Sequence, residues 1–126
     1  MKYVIVDNLN RPLKQPLIAR YCDSFLCRLQ GLMFRRSLPV GDGLLLVDKR
    51  DNRMDSSIHM MFVNFDLAIA WINNDMEVVD TCLAQRWHPA YIPKKPARYV
   101  LEMSAERMGD FRAGDRVTFN EAFVDR

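Results

Sequence analysis

The stretch from Leu67 to Leu83 limits most strongly what this chain can become. Six apolar residues, Leu67-Ala68-Ile69-Ala70-Trp71-Ile72, run into Asn73-Asn74-Asp75 and out again through Glu77 to Leu83. Asn and Asp tolerate the left-handed backbone that a tight reversal needs, so the spacing predicts an antiparallel hairpin and therefore a sheet. Other short apolar runs bounded by turn residues extend the pattern: Lys2 to Val6, Leu17 to Cys22, Leu44 to Val47, Ile58 to Val63, Arg98 to Met103 and Arg116 to Phe119. The unbroken run Leu44-Leu45-Leu46-Val47 predicts burial on both faces, while the charged residues from Asp48 to Met54 predict a solvated loop.

Helix signals are sparse. Asp23 and Ser24 can cap a helix over about residues 24 to 31, with Phe25, Leu26, Leu29, Leu32 and Met33 at helical spacing and Gly31 placed to close it. Ser104 can cap a second short helix over about residues 104 to 109. Such a chain predicts a mainly β fold: a compact single domain over residues 1–126, closed as a barrel or packed as a sandwich, with about eight short strands and two short helices. A length of 126 residues has no room for a second domain, and no repeat or glycine-serine linker divides it.

A formal charge of +2 excludes the strong global field of a dedicated nucleic-acid binder, so any charge argument has to be local. Three cysteines do not make a disulfide scaffold, and the expectation is three free thiols in a reduced compartment. No apolar run reaches the roughly 20 residues of a membrane span. Met1 to Asp7 lacks the pattern of a secretion signal. These features predict a soluble cytoplasmic protein with no membrane insertion.

Gly31-Leu32-Met33-Phe34-Arg35, then Leu38-Pro39, then Gly43-Leu44-Leu45-Leu46-Val47 resemble the family called domain of unknown function 192. Met60, Trp71-Ile72, Val78-Val79, Arg98-Tyr99-Val100-Leu101-Glu102 and Gly114-Asp115-Arg116-Val117 follow in that family's order, so the resemblance spans about residues 17 to 120. It implies a compact β-rich fold and carries over no catalytic residue. Where the family often has Met-Lys-Asn-Thr, this chain has Met60-Met61-Phe62-Val63. Where it often has Leu-Asp, this chain has Leu67-Ala68.

Recognised catalytic motifs are absent: no nucleophile elbow, phosphate-binding glycine loop or zinc-protease signature occurs. Cys22 and Cys27, with Cys82, His59 and His88 elsewhere, are at the loose limit of spacing for a structural zinc site and Cys27 lies where it would pack in the helix, so neither metal nor cofactor is expected. Cys82 with His88, or Cys22 with His59, are the pairs that nucleophilic chemistry would need. Asp66, flanked by Phe65 and Leu67, is expected to accept backbone amides at a break between strands, and Glu102 to take a cross-strand partner such as Arg35 or Arg116. Met33, Met54, Met60 and Met61 are expected to fill core space rather than line a groove.

One segment stands out as a ligand surface. From Thr81 through Leu101 there is no acidic residue, while Arg86, Lys94, Lys95 and Arg98 are basic, Trp87, Tyr91 and Tyr99 are aromatic, and Pro89, Pro93 and Pro96 stiffen the backbone. Cations beside aromatic rings suit an anionic, sugar-like or peptide ligand. The expectation is a non-catalytic binding module that uses Arg86, Trp87, Tyr91, Lys94, Lys95 and Arg98, with an anionic small molecule or a protein as partner and nucleic acid a weaker fit. The alternatives are a small hydrolase-like enzyme built on Asp66, His59 or Cys82, and an accessory protein-interaction domain.

Overall fold

The structure is a computed structural model that describes residues 2–123. In chain order the elements are β1 (Tyr3–Asn8), β2 (Ile18–Cys22), α1 (Phe25–Gln30), β3 (Asp42–Asn52), β4 (Leu67–Ile72), β5 (Val78–Ala84), β6 (Ala97–Ser104), a 3-10 helix (Ala105–Asp110) and β7 (Val117–Ala122). The strands form one sheet in the order β5-β4-β6-β3-β2-β1-β7. The mainly β class and the two short helices are as the sequence predicts. The sheet curls until its edge strands meet at one corner, where Val78 N donates to Asp115 O at 2.8 Å and Gly114 N to Val78 O at 2.7 Å, but it does not close into a barrel.

Side chains alternate along the strands and build a core on each face. Val4, Ala19, Leu45, Val47, Ala70, Leu101 and Phe111 share the inner, curled face. Leu44, Leu46, Met60, Leu67, Ile69, Trp71 and Val100 share the outer one. This two-sided burial is why Leu67 to Ile72 and Leu44 to Val47 are unbroken apolar runs. The outer face is covered by α1 and by the long connections before β4 and β6. Met60 is fully buried there and Met54 exposed, so the methionines divide.

All neighbouring strands pair antiparallel except β2 and β3, which run parallel from Ile18↔Asp42 to Cys22↔Leu46. Parallel neighbours need a crossover, and this one carries α1 over the outer face. Ser24 caps the helix by accepting from Cys27 N at 3.2 Å, and Gly31 ends it with φ 49 and ψ −125, a region that side chains rarely adopt.

Three local expectations are corrected. Ile58 to Val63 is not a strand; apart from one bridge between Ile58 and Tyr91 it is an irregular cover over the outer core. The charged stretch after Val47 continues β3 to Asn52, because a bulge restores pairing at Asn52↔Ala97 and Arg98 Nε donates to Asp48 O at 2.9 Å. Cys22 and Cys27 are not free thiols: a disulfide joins them, since the capped first turn of α1 folds back over the end of β2 and brings the two Cα atoms to 5.6 Å. Cys82 keeps its thiol.

Candidate functional site

Between α1 and the outer face lies an open cleft of about 590 Å³, within the range of small-molecule sites. Its floor is Leu46, Val100 and Glu102 on the adjacent strands β3 and β6. One wall is α1 and the turn through Met33, the other the segment from Asp55 to Val63. His59 links the two walls. Its Nε2 donates to Leu29 O at 3.1 Å while its Nδ1 accepts from Met61 N at 3.2 Å, which requires a neutral ring protonated on Nε2.

Glu102 is the unusual member of the floor. It is 5% exposed, and its cross-strand neighbours are Leu44 on β3 and Ile69 on β4. Among the described residues its carboxyl has neither a hydrogen-bond nor an ion-pair partner. Arg35 and Arg116, the partners expected from sequence, do not reach it: Arg35 is exposed and Arg116 donates to Asp75 O at 3.2 Å. Burial alone therefore pushes the Glu102 carboxyl up to about 7. Arg20, one more strand away in the same row across Leu44, is the matching cation, and its Nε is buried without a hydrogen-bond partner. Leu32 lies against both the cleft and the niche that holds Arg20.

The helical wall is held by few links. No residue of α1 is buried, and Phe25 and Leu29, which line the cleft, are 68% and 52% exposed. The disulfide fastens the helix to β2, and Arg28 fastens it to β3, with Nη1 2.9 Å from Val47 O and 3.4 Å from Asp48 Oδ1. Burial raises the Asp48 carboxyl, Arg28 opposes that rise, and Asp55 adds to it.

The sequence-derived loop residues lie elsewhere. Arg86 is committed to Asp66, whose Oδ1 accepts from its backbone N at 3.0 Å and its Nε at 3.1 Å and whose acidity rises for that reason. Asp66 thus takes the backbone-binding role its sequence context predicts. Arg98 is engaged by Asp48 O and Asn74 Oδ1. Tyr91 stacks on His88 at 4.5 Å and accepts from Gln85 N at 2.9 Å. Lys94 and Lys95 are exposed, and Lys94 N donates to Asp80 Oδ2 at 2.9 Å. The loop also braces the cleft from behind, because Ile58 N donates to Tyr91 O, Met60 N to His88 O and Trp87 N to Met60 O.

Trp87 belongs to an exposed aromatic group. Its ring centroid is 5.1 Å from Phe62, which is 5.2 Å from Phe34, and all three residues have left-handed backbones with φ between 62 and 65. Such conformations cost roughly 1–3 kcal/mol each for residues with side chains. The cysteine-histidine pairs do not form: Cys22 is spent in the disulfide, and burial, with Asp80 adding, pushes the Cys82 thiol up to about 11, away from thiolate chemistry. Among the described residues no three His, Cys, Asp or Glu side chains cluster around a common metal position. No helix among them is long and apolar enough to cross a membrane.

Sequence reasoning missed the cleft because its polar centre is a lone glutamate made special only by what surrounds it. The signal was present in the resemblance itself: Gly31-Leu32-Met33, Leu46, Val100 and Glu102, remote in sequence, converge on this one cavity.

Known proteins resemble this chain in sequence, and solved structures resemble it in fold. A UPF0127 protein of Thermococcus gammatolerans is 36% identical over 100 residues, 78% of this chain and 63% of that protein, so the matched region spans less than two thirds of the relative. A UPF0127 protein of Pyrococcus furiosus is 35% identical over 83 residues, 66% of this chain and 68% of that one. Among solved structures, a Sinorhizobium meliloti protein provisionally described as a transcription regulator superposes with a TM-score of 0.79 at 20% identity, over 94% of this chain and 92% of its own. A protein of unknown function from Novosphingobium aromaticivorans follows with 0.74 at 18%, over 94% and 84%. With the family profile matched across residues 8–119, the chain belongs to DUF192, described as Uncharacterized ACR.

Proposed function

We propose that this domain is a non-catalytic binding module whose ligand occupies the cleft between α1 and the outer face of the sheet. The observation that carries this is Glu102, a carboxyl on a buried residue that has no partner among the described residues and opens onto the floor of a cavity with an aliphatic floor and wall at Leu32, Leu46, Ile58, Val63 and Val100. Buried polar groups are almost always satisfied, and a carboxyl left over inside a cavity is matched by something that enters it. The exposure of Phe25 and Leu29 on the cavity's own wall supports an occupant with an apolar body. An enzyme draws less support, because among the described residues no nucleophile and base stand together and His59 already spends both ring nitrogens on backbone. A fragment screen followed by methyl NMR tests the proposal. Hits are expected to move the methyl signals of Leu46, Val63 and Val100; hits that leave those signals still, or no hits, contradict it.

A second surface is favoured by the exposed ring of Trp87 beside Phe62, with Lys94 and Lys95 further along the same loop. In this reading residues 86–99, with Arg86, Trp87, Tyr91, Lys94, Lys95 and Arg98, hold an anionic, sugar-like or peptide ligand. Salt-sensitive binding lost in Lys94→Ala/Lys95→Ala, and salt-resistant binding lost in Trp87→Ala, are the expected signatures. Unchanged binding in a folded Trp87→Ala protein contradicts it.

A further inference from the structure

We infer that the cleft selects an aliphatic primary amine, its ammonium seated on the Glu102 carboxylate and its hydrocarbon body against Leu32, Leu46, Ile58, Val63 and Val100. The inference rests on the cleft being the ligand site and names the chemistry of what enters it.

Glu102 stands between Leu44 and Ile69 on the sheet, so the fold supplies it with no counter-charge from either side. Charged groups on every packed element are occupied or distant. Arg28 on α1 is spent on Asp48 and Val47 O, and Lys49 and Arg50 on β3 are exposed at the rim, where Asp55 also lies. His59 on the opposite wall is committed to Leu29 O and Met61 N, and Arg20 on β2 is separated by Leu44. An ionised carboxylate with two unfilled oxygens in such a place is costly until a cation arrives. A neutral hydrogen-bonding group removes only part of that cost, and an anion adds to it. An ammonium removes it and forms charge-assisted hydrogen bonds in the same step. The five floor and wall residues named are aliphatic, which fits an alkyl rather than a polar body.

Protons follow from this arrangement. Amine binding favours the ionised carboxyl, so below the raised Glu102 pKa each complex formed releases a proton from Glu102.

The test compares n-hexylamine, 1-hexanol and hexanoate by methyl NMR titration of the whole chain. The expected result is amine binding that moves the Leu46, Val63 and Val100 methyls, with the alcohol and the carboxylate at least about tenfold weaker. Glu102→Gln should erase the amine preference, and wild-type amine affinity should fall by up to about tenfold per pH unit below neutrality, a readout that needs no variant to fold. Alcohol and amine binding equally at these methyls would overturn the amine assignment and leave the cleft as a ligand site. Binding that avoids these methyls, or none by any of the three probes, would overturn both.

Discussion

Oε1 of Glu102 lies 3.6 Å from the position that a Cβ on Gly31 would occupy, so the residue closing α1 forms the roof directly above the buried carboxyl. Gly31 also carries φ 49 and ψ −125, a conformation that needs glycine. Gly31→Ala should therefore destabilise the domain by about 1–3 kcal/mol through the backbone alone. Denaturant unfolding checks it. A neutral result would mean that the turn after α1 relaxes without cost.

Stability should depend on pH in a direction opposite to that of most carboxylates. The folded Glu102 pKa of about 7 lies above its ordinary 4.5, so the native state holds the proton more tightly than the unfolded chain does. That contribution is complete below about pH 4.5, declines between there and pH 7, and is gone above. Its size is roughly 3 kcal/mol. Glu102→Gln should flatten this slope and leave the variant more stable than wild type at about pH 8. Equal slopes in the two proteins would show that Glu102 titrates normally.

Thiol titration of the denatured chain should find one reactive group without reductant, Cys82, and three with it. Closing so short a loop stabilises by about 2 kcal/mol in the chain-entropy account, so reductant or Cys27→Ser should lower the melting temperature accordingly. The loss should be concentrated in α1, whose amides are expected to exchange faster while those of β3 and β6 do not. Three thiols without reductant would remove the link.

Arg107 tests how the opposite end of the sheet is held. Only 2% exposed, it ties the 3-10 helix to the chain's early connectors by donating to Asp110 Oδ2, Pro16 O, Val40 O and Gln15 O. Arg107→Ala leaves three carbonyls and a carboxylate without this donor and should cost about 3–5 kcal/mol. Arg107→Lys keeps the charge without the fork and should fall between. Thermal or urea unfolding of both variants measures it.

What could be read from the chain was local. The Asn73-Asn74-Asp75 reversal and the Ser24 cap depend on residues near in sequence or on an intrinsic backbone preference, and they stand as expected; Asp66 also accepts a backbone amide as expected, although its donor, Arg86, lies twenty residues on. The parts that could not be read are non-local. Charges on Asp48 to Asn52 argue for a loop, yet pairing with β6 outweighs them. Ile58 to Val63 has strand-like composition but is used to cover the outer core, held by the 86–91 backbone. Cys22 and Cys27 looked unpaired because their spacing says nothing until α1 is seen to turn back on β2. Glu102 looked like half of an ion pair because the partners within reach of a β-strand cannot be known before the strand order is.

Glu102 is the centre of the proposed site, a carboxyl kept without a partner until a ligand supplies one. Site-specific carbon-13 NMR of its side-chain carboxyl across pH, alone and with n-hexylamine, measures this directly. The predicted result is a midpoint near 7 for the protein alone, moving well down when the amine is present. A midpoint in the ordinary carboxylate range under both conditions would contradict it.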